Sequence, residues 1–139
     1  MKFAVRYYTR GGNTKRVADA IAEELGLEAL DISHPVEDVD VLFLGNSMYA
    51  FTVDKNVKDF VGRLTVKNVR EIVNFSTSAS DTSTHKKVAK CLKDKEIKIN
   101  PEHFSTPGAF LKMNKGRPNK EDLLKAREFA KKIKASYQE

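Results

Sequence analysis

Cysteine is nearly absent from this chain and tryptophan is missing altogether. The single cysteine, Cys91, excludes an internal disulfide, so the fold must rest on its own core, as proteins of a reducing cytoplasm do. Cys91 itself reads as a small buried apolar residue rather than a redox thiol. No window is long and apolar enough to span a bilayer, and the chain enters a strand pattern at once with no visible signal peptide. A cytoplasmic protein without a membrane partner is therefore expected. His34, His85 and His103 are scattered and show no metal-ligand spacing, so no metal is expected. The G-x-S-x-G, H-E-x-x-H and C-x-x-C patterns are also lacking, which leaves no candidate nucleophile or catalytic acid. Neither a P-loop nor a G-x-G-x-x-G fingerprint occurs.

What is present reads as one globular domain over residues 1–139, with 40% apolar and 32% charged residues. The net charge is +6 and the pI about 9.4. The basic residues are spread along the chain among Glu and Asp, which reads as solvated helix faces and makes a nucleic-acid partner unlikely. Such a field suits an acidic partner instead.

The start of the chain carries the strongest signal. Lys2 to Tyr8 (KFAVRYY) reads as a strand, Thr9 to Thr14 as a turn with glycines and hydroxyls, and Lys15 to Leu25 as an amphipathic helix ended by Gly26. Backbone amides, hydroxyls and the positive end of a helix dipole then converge, which makes an anion site with phosphate as the obvious guest.

Further along, strand and helix patterns alternate. Leu27 to Ile32 reads as a second strand and the apolar run Val39 to Gly45 as a third, buried on both faces. Asp54 can cap a helix running through Leu64, with Val57, Phe60, Val61 and Leu64 on one face. Val69 to Phe75 reads as the fourth strand, and His85 to Asp94 as a helix that Asp81 or a nearby hydroxyl can cap. Either Ile97 to Asn100 or His103 to Ser105 can supply the fifth strand. Asn119 can cap a last helix bearing Leu123, Ala126, Ala130, Ile133 and Tyr137 on one face. The second and third strands lie too close for a crossover helix, which takes about a dozen residues, so a helix there must be absent or one turn long. The expected fold is an α/β doubly wound parallel sheet of five strands in the order 2-1-3-4-5, with helices on both faces and a ligand crevice at the strands' carboxyl ends.

The turn after the first strand resembles the phosphate loop of the flavodoxin family, [ST]-x-[ST]-G-x-T. Thr9, Gly12, Asn13 and Thr14 match it, while Gly11 stands where the family has a hydroxyl. With the stretch Gly45-Asn46-Ser47-Met48-Tyr49 and the fourth strand's polar end, the resemblance extends over essentially the whole chain. It implies FMN as cofactor. Thr9, Arg10, Gly11, Gly12, Asn13 and Thr14 would surround the phosphate, with Arg10 pairing it or facing solvent. Ser47, Met48, Tyr49, Ala50 and Phe51 would meet the ring from one loop, and Ser76, Thr77 and Ser78 from the next. Tyr49 and Met48 would pack on the ring, and Phe51 would do the same or pack on the following helix. The family's second stacking aromatic has no counterpart between Ser76 and Lys87, where His85 is the one ring. The segment near Pro107, Gly108 and Phe110 could cover that face.

The resemblance implies an electron carrier that cycles flavin through one-electron steps and serves a redox partner protein. The positive charge predicts a less negative potential for the second step than in acidic relatives. Two alternatives share the fold: a flavin-dependent reductase acting on a quinone, a porphyrin precursor or NAD(P)H, and an interaction module whose flavin site has decayed. A phosphoacceptor receiver domain is excluded, because Thr9-Arg10 and Gly45-Asn46 stand where it needs acids.

Overall fold

A computed structural model describes residues 1–49 and 51–138. Its elements in chain order are β1 (Phe3–Tyr7), α1 (Asn13–Leu25), β2 (Ala29–Asp31), β3 (Val39–Tyr49), β4 (Thr52–Val53), α2 (Lys55–Arg63), β5 (Val69–Ser78), α3 (His85–Cys91), β6 (Lys98–Ile99), β7 (Phe104–Pro107) and α4 (Lys120–Ser136). The sheet runs β2-β1-β3-β5, and both β6 and β7 pair with β5 at its outer edge. These pairings are parallel; β4 alone is antiparallel, folded back on the end of β3. The expected doubly wound order is therefore present. The two candidates for the fifth strand share one edge position. Glu71 and Ile72 face Lys98 and Ile99, while Phe75 to Ser78 face Phe104 to Pro107. Between the two pieces the Asn100 side chain accepts from the Glu102 amide at 2.8 Å, which bends the chain out of the ladder.

Alternation along β3 explains its unbroken apolar run. Val41 and Phe43 enter one core with Val5, Val73 and Phe75, closed by Val17, Ile21 and Leu25 of α1 and Ala126, Ala130 and Ile133 of α4. Leu42 and Leu44 enter the other with Ile72, under Val57, Phe60 and Val61 of α2 and Val88 of α3. Asp54 caps α2 as expected, accepting from the Asn56 amide at 2.8 Å. Asn119 caps α4 in a reciprocal capping box with Asp122. Asp81 is no cap: the residue before α3 is Thr84, and the His85 amide donates to Ser83 Oγ at 3.1 Å. The helix also stops at Cys91, three residues early, before a left-handed Asp94.

No helix joins β2 to β3. On the sheet face that such a helix would cover, Arg6 lies flat. Its guanidinium donates to the carbonyls of His34 (3.1 Å), Pro35 (2.9 Å) and Val5 (3.0 Å). Val36, from the same connection, is buried in the core beneath α2. One arginine and one valine thus do part of a helix's covering work. Two of the scattered histidines meet, with the His85 and His103 rings stacked 4.3 Å apart beside the divided edge strand. No described helix is long and apolar enough to cross a membrane.

Candidate functional site

A cavity of ≈ 640 Å³ opens at the carboxyl ends of β1, β3 and β5, where the strand order reverses. Its first wall is the turn between β1 and α1. Gly12 occupies the N-cap of α1 with φ +94°, a left-handed conformation that strains any side chain. No side chain caps this helix, and no acidic residue lies in its first turn. Its leading amides and its positive dipole end are therefore left for an anion. The Gly12 amide donates to Thr9 Oγ1 at 2.9 Å, folding that hydroxyl into the turn. A Cβ on Gly11 would meet nothing within 4 Å, so the missing hydroxyl has room to stand there.

Beneath the turn lie three buried hydroxyls. Thr14 Oγ1 is 2.8 Å from Ser47 Oγ and 2.9 Å from Thr77 Oγ1, and those two are 2.9 Å apart. Three hydroxyls with three mutual contacts saturate every donor when each donates to the next. The ring ties α1 to β3 and β5. A second buried network lies on the opposite face: Asn46 Nδ2 donates to Asn74 Oδ1 (2.9 Å), Asn74 Nδ2 to Thr84 Oγ1 (2.9 Å), and the Thr84 hydroxyl to Asn46 Oδ1. Among the described residues no buried side-chain nitrogen or oxygen lacks a partner. These networks let β3 and β5 continue as strands through their polar residues Asn46, Ser47 and Ser76 to Ser78.

At the end of β3, Met48 and Tyr49 pair with Val53 and Thr52 in a tight hairpin whose Phe51 stands at φ +66°. Arg10 lines the cavity with its side chain held between an acid and an aromatic ring. Its Nη2 lies 2.5 Å from Asp54 Oδ2, and its guanidinium sits 3.9 Å above the Tyr49 ring centroid. Burial would push Asp54 up, but the hydrogen bonds from Arg10 and Asn56 outweigh it and hold the carboxyl below its usual range. The bond to Asp54 likewise raises the Arg10 guanidinium. One carboxylate thus caps α2 and fixes the cation that covers one face of Tyr49. Lys15 is held by Asp19 at 2.8 Å.

The last wall is residues 108–114, which arch over the opening. The Gly108 amide donates to Ser78 O (3.0 Å), Asn13 Nδ2 to Ala109 O (2.9 Å), and Asn114 Nδ2 to Ala79 O (2.6 Å). Gly108 passes so close to α1 that a Cβ there would come within 3.0 Å of the Asn13 amide and 3.3 Å of Thr77. Phe110 and Met113 face the cavity from this arch, on the side where no second aromatic was visible after the fourth strand.

Of the residues that the sequence nominated, Thr9, Arg10, Gly11, Asn13, Thr14, Ser47, Met48, Tyr49, Phe51, Thr77 and Ser78 line this one cavity. Gly12 shapes the turn without lining it. Ser76 does not line it: strand alternation turns its hydroxyl to the other face, where it accepts from the Thr84 amide at 3.3 Å. Ala50 lies outside the described residues. Gly108 and Phe110, expected as a possible cover, line it too, and Ala79, Ser80, Ala109 and Met113, which were not nominated, complete the lining. Ala79 and Ser80 follow directly on the fourth strand's loop and could have been included. Ala109 and Met113 lie in a glycine- and proline-rich segment with no periodicity to place them.

Comparison with known proteins bears on this geometry. A family model described as a flavodoxin domain matches residues 4–115. An uncharacterized protein of Methanocaldococcus jannaschii is 30% identical over 135 residues, covering 87% of this chain and 89% of that protein. Among solved structures, a flavodoxin from the domain Archaea superposes with a TM-score of 0.81 at 14% identity, covering 100% of both chains. Flavodoxin 2 of Bacillus cereus superposes with a TM-score of 0.72 at 16% identity, covering 98% of this chain and 99% of that one.

Proposed function

The chain belongs to the flavodoxin family, and from that premise we propose that it binds FMN and carries electrons between partner proteins. The observation that carries this reading is the meeting, in one cavity, of an uncapped helix start and a wall of flat and apolar side chains. The volume of ≈ 640 Å³ lies within the range of cofactor pockets, roughly 300–1,000 Å³. FMN supplies the one-electron chemistry when bound; the chain supplies binding, orientation and field.

The Thr9–Thr14 turn offers its amides and the α1 dipole to the phosphate. With Thr14 committed to Ser47 and Thr77, backbone donors and Thr9 carry that contact. Tyr49, covered on one face by Arg10, would pack its other face on the ring, and Phe110 and Met113 would help to shield the ring from water. The net charge of +6 makes the second electron easier to add than in acidic relatives.

The test is an anaerobic reductive titration of the FMN-loaded protein, with NADPH oxidation followed in parallel. The carrier reading expects two resolved one-electron steps, the second less negative than in acidic flavodoxins, and no sustained NADPH turnover. Steady turnover with a quinone acceptor would favour the reductase. Failure to load FMN would favour an interaction module.

A further inference from the structure

We propose that the outer rim of the cavity, formed by Phe51, Leu111, Phe110 and Met113 together with Lys112 and Lys115, is the docking surface for an acidic electron-transfer protein. This rests on the carrier reading and adds the partner's chemistry to it. The two most exposed large apolar side chains among the described residues are Phe51 at 90%, which lines the cavity, and Leu111 at 86%, which stands in the turn between the lining residues Phe110 and Met113. Both also have left-handed backbones, with φ +66° and +55°. A turn needing only to reverse the chain takes Gly, Asn or Asp at such a position, because a bulky side chain there is strained. Leu111 and Lys112 form the tip of a tight turn in which the Phe110 and Met113 amides and carbonyls bond each other at 3.0 and 2.9 Å. Strain and exposure thus coincide twice, once in the β3–β4 hairpin and once in the arch. Each presents an apolar group outward beside the place where the flavin would lie.

The charge on the arch itself has one sign. Residues 108–117 (GAFLKMNKGR) carry three cations and no carboxylate. Two of the nearby acids are paired, Asp54 with Arg10 and Asp122 with Arg117. Asp81, in the turn after β5, acts electrostatically on Arg117. Lys112 and Lys115 form no ion pair among the described residues. An apolar centre with a positive rim is complementary to a partner with an acidic ring around an apolar patch. Such a pairing steers encounter and fixes orientation.

The experiment is an amide-shift titration of the isotopically labelled full chain, with and without FMN. An acidic two-iron ferredoxin serves as probe and a basic cytochrome c as control. Ferredoxin is expected to perturb Phe51 and residues 110–115, with binding that weakens steeply with salt. Lys112→Glu with Lys115→Glu should weaken it about tenfold or more, while the equal charge change Lys131→Glu with Lys132→Glu on α4 changes it less than about threefold. Leu111→Ser should weaken it about fivefold with no change in salt dependence. Equal loss from both lysine pairs, no loss from Leu111→Ser, shifts elsewhere, no binding, or tighter binding of cytochrome c would each overturn the proposal. The shifts are read without FMN as well, so failure of the flavin reading shows separately as absent FMN binding.

Discussion

Replacing Thr77 by valine keeps the side chain's shape and β-branching and removes only its hydroxyl, so the stability change reports the hydroxyl ring. Two of three contacts vanish, those to Thr14 Oγ1 and Ser47 Oγ, both 2.9 Å. The remaining pair uses one donor between them and leaves the other O–H unpaired. Thr14 is 0% exposed and Ser47 6%, so water cannot take up that donor. A lost hydrogen bond is worth about 0.5–1.5 kcal/mol, and a stranded buried donor costs about 1–3 kcal/mol. A net loss of about 2–3 kcal/mol follows, or roughly 5–12 °C in Tm for a chain of this size. The same logic predicts non-additivity. Thr14→Val, Ser47→Ala and Thr77→Val together leave no stranded donor, so the triple variant should cost little more than the worst single one. Urea denaturation of the singles and the triple is the assay. A Thr77→Val loss below about 0.5 kcal/mol, or a triple equal to the sum of the singles, would refute the ring as an energetic unit.

Three further outcomes are expected. Gly11→Ser restores a hydroxyl where a Cβ meets open space, and should tighten FMN binding about fivefold by one added hydrogen bond, with riboflavin unchanged in a parallel titration. Arg6→Met removes two bonds to the β2–β3 connection, at His34 and Pro35, and one to the Val5 carbonyl of β1, and should cost about 1–2 kcal/mol, with faster hydrogen exchange in residues 32–38; unchanged exchange would show that Val36 alone holds the connection. Burial, and then the neighbouring His85, lower the His103 pKa from its ordinary 6.5. The unfolded chain therefore takes up the proton first, and this contribution, complete above pH 6.5, is lost as pH falls below it. The drop in Tm between about pH 7.5 and about pH 5.5 should be smaller in His103→Gln than in the parent.

Where hydrophobic period and capping chemistry agree, the fold was legible from the residues: Val17, Ile21 and Leu25 before Gly26, Asp54 before α2, and Asn119 before α4. The run Val39 to Gly45 announced a strand buried on both faces. The strand ends were not legible. Asn46, Ser47, Ser76 and Thr77 look like loop residues, and only partners far along the chain reveal that they continue a ladder. The same long-range logic hid Arg10. Its charge stands next to a phosphate-type turn, and nothing local reveals that Asp54, 44 positions away, holds it over Tyr49. The arch over residues 108–114 was illegible for a different reason. Three amide bonds, to the end of β5, the start of α1 and Ala79, hold it, and such contacts leave no periodicity.

The central claim is that the turn of Thr9 to Thr14 binds a phosphate while the strand ends bind a flavin ring. The most direct test adds apo-protein to FMN and, separately, to riboflavin, following the quenching of flavin fluorescence. Saturable quenching of FMN at one equivalent, with riboflavin bound at least about a hundredfold more weakly (about 2.7 kcal/mol), is the predicted result. Equal affinity for both would contradict the phosphate role of the turn, and no quenching of either would contradict the flavin site altogether.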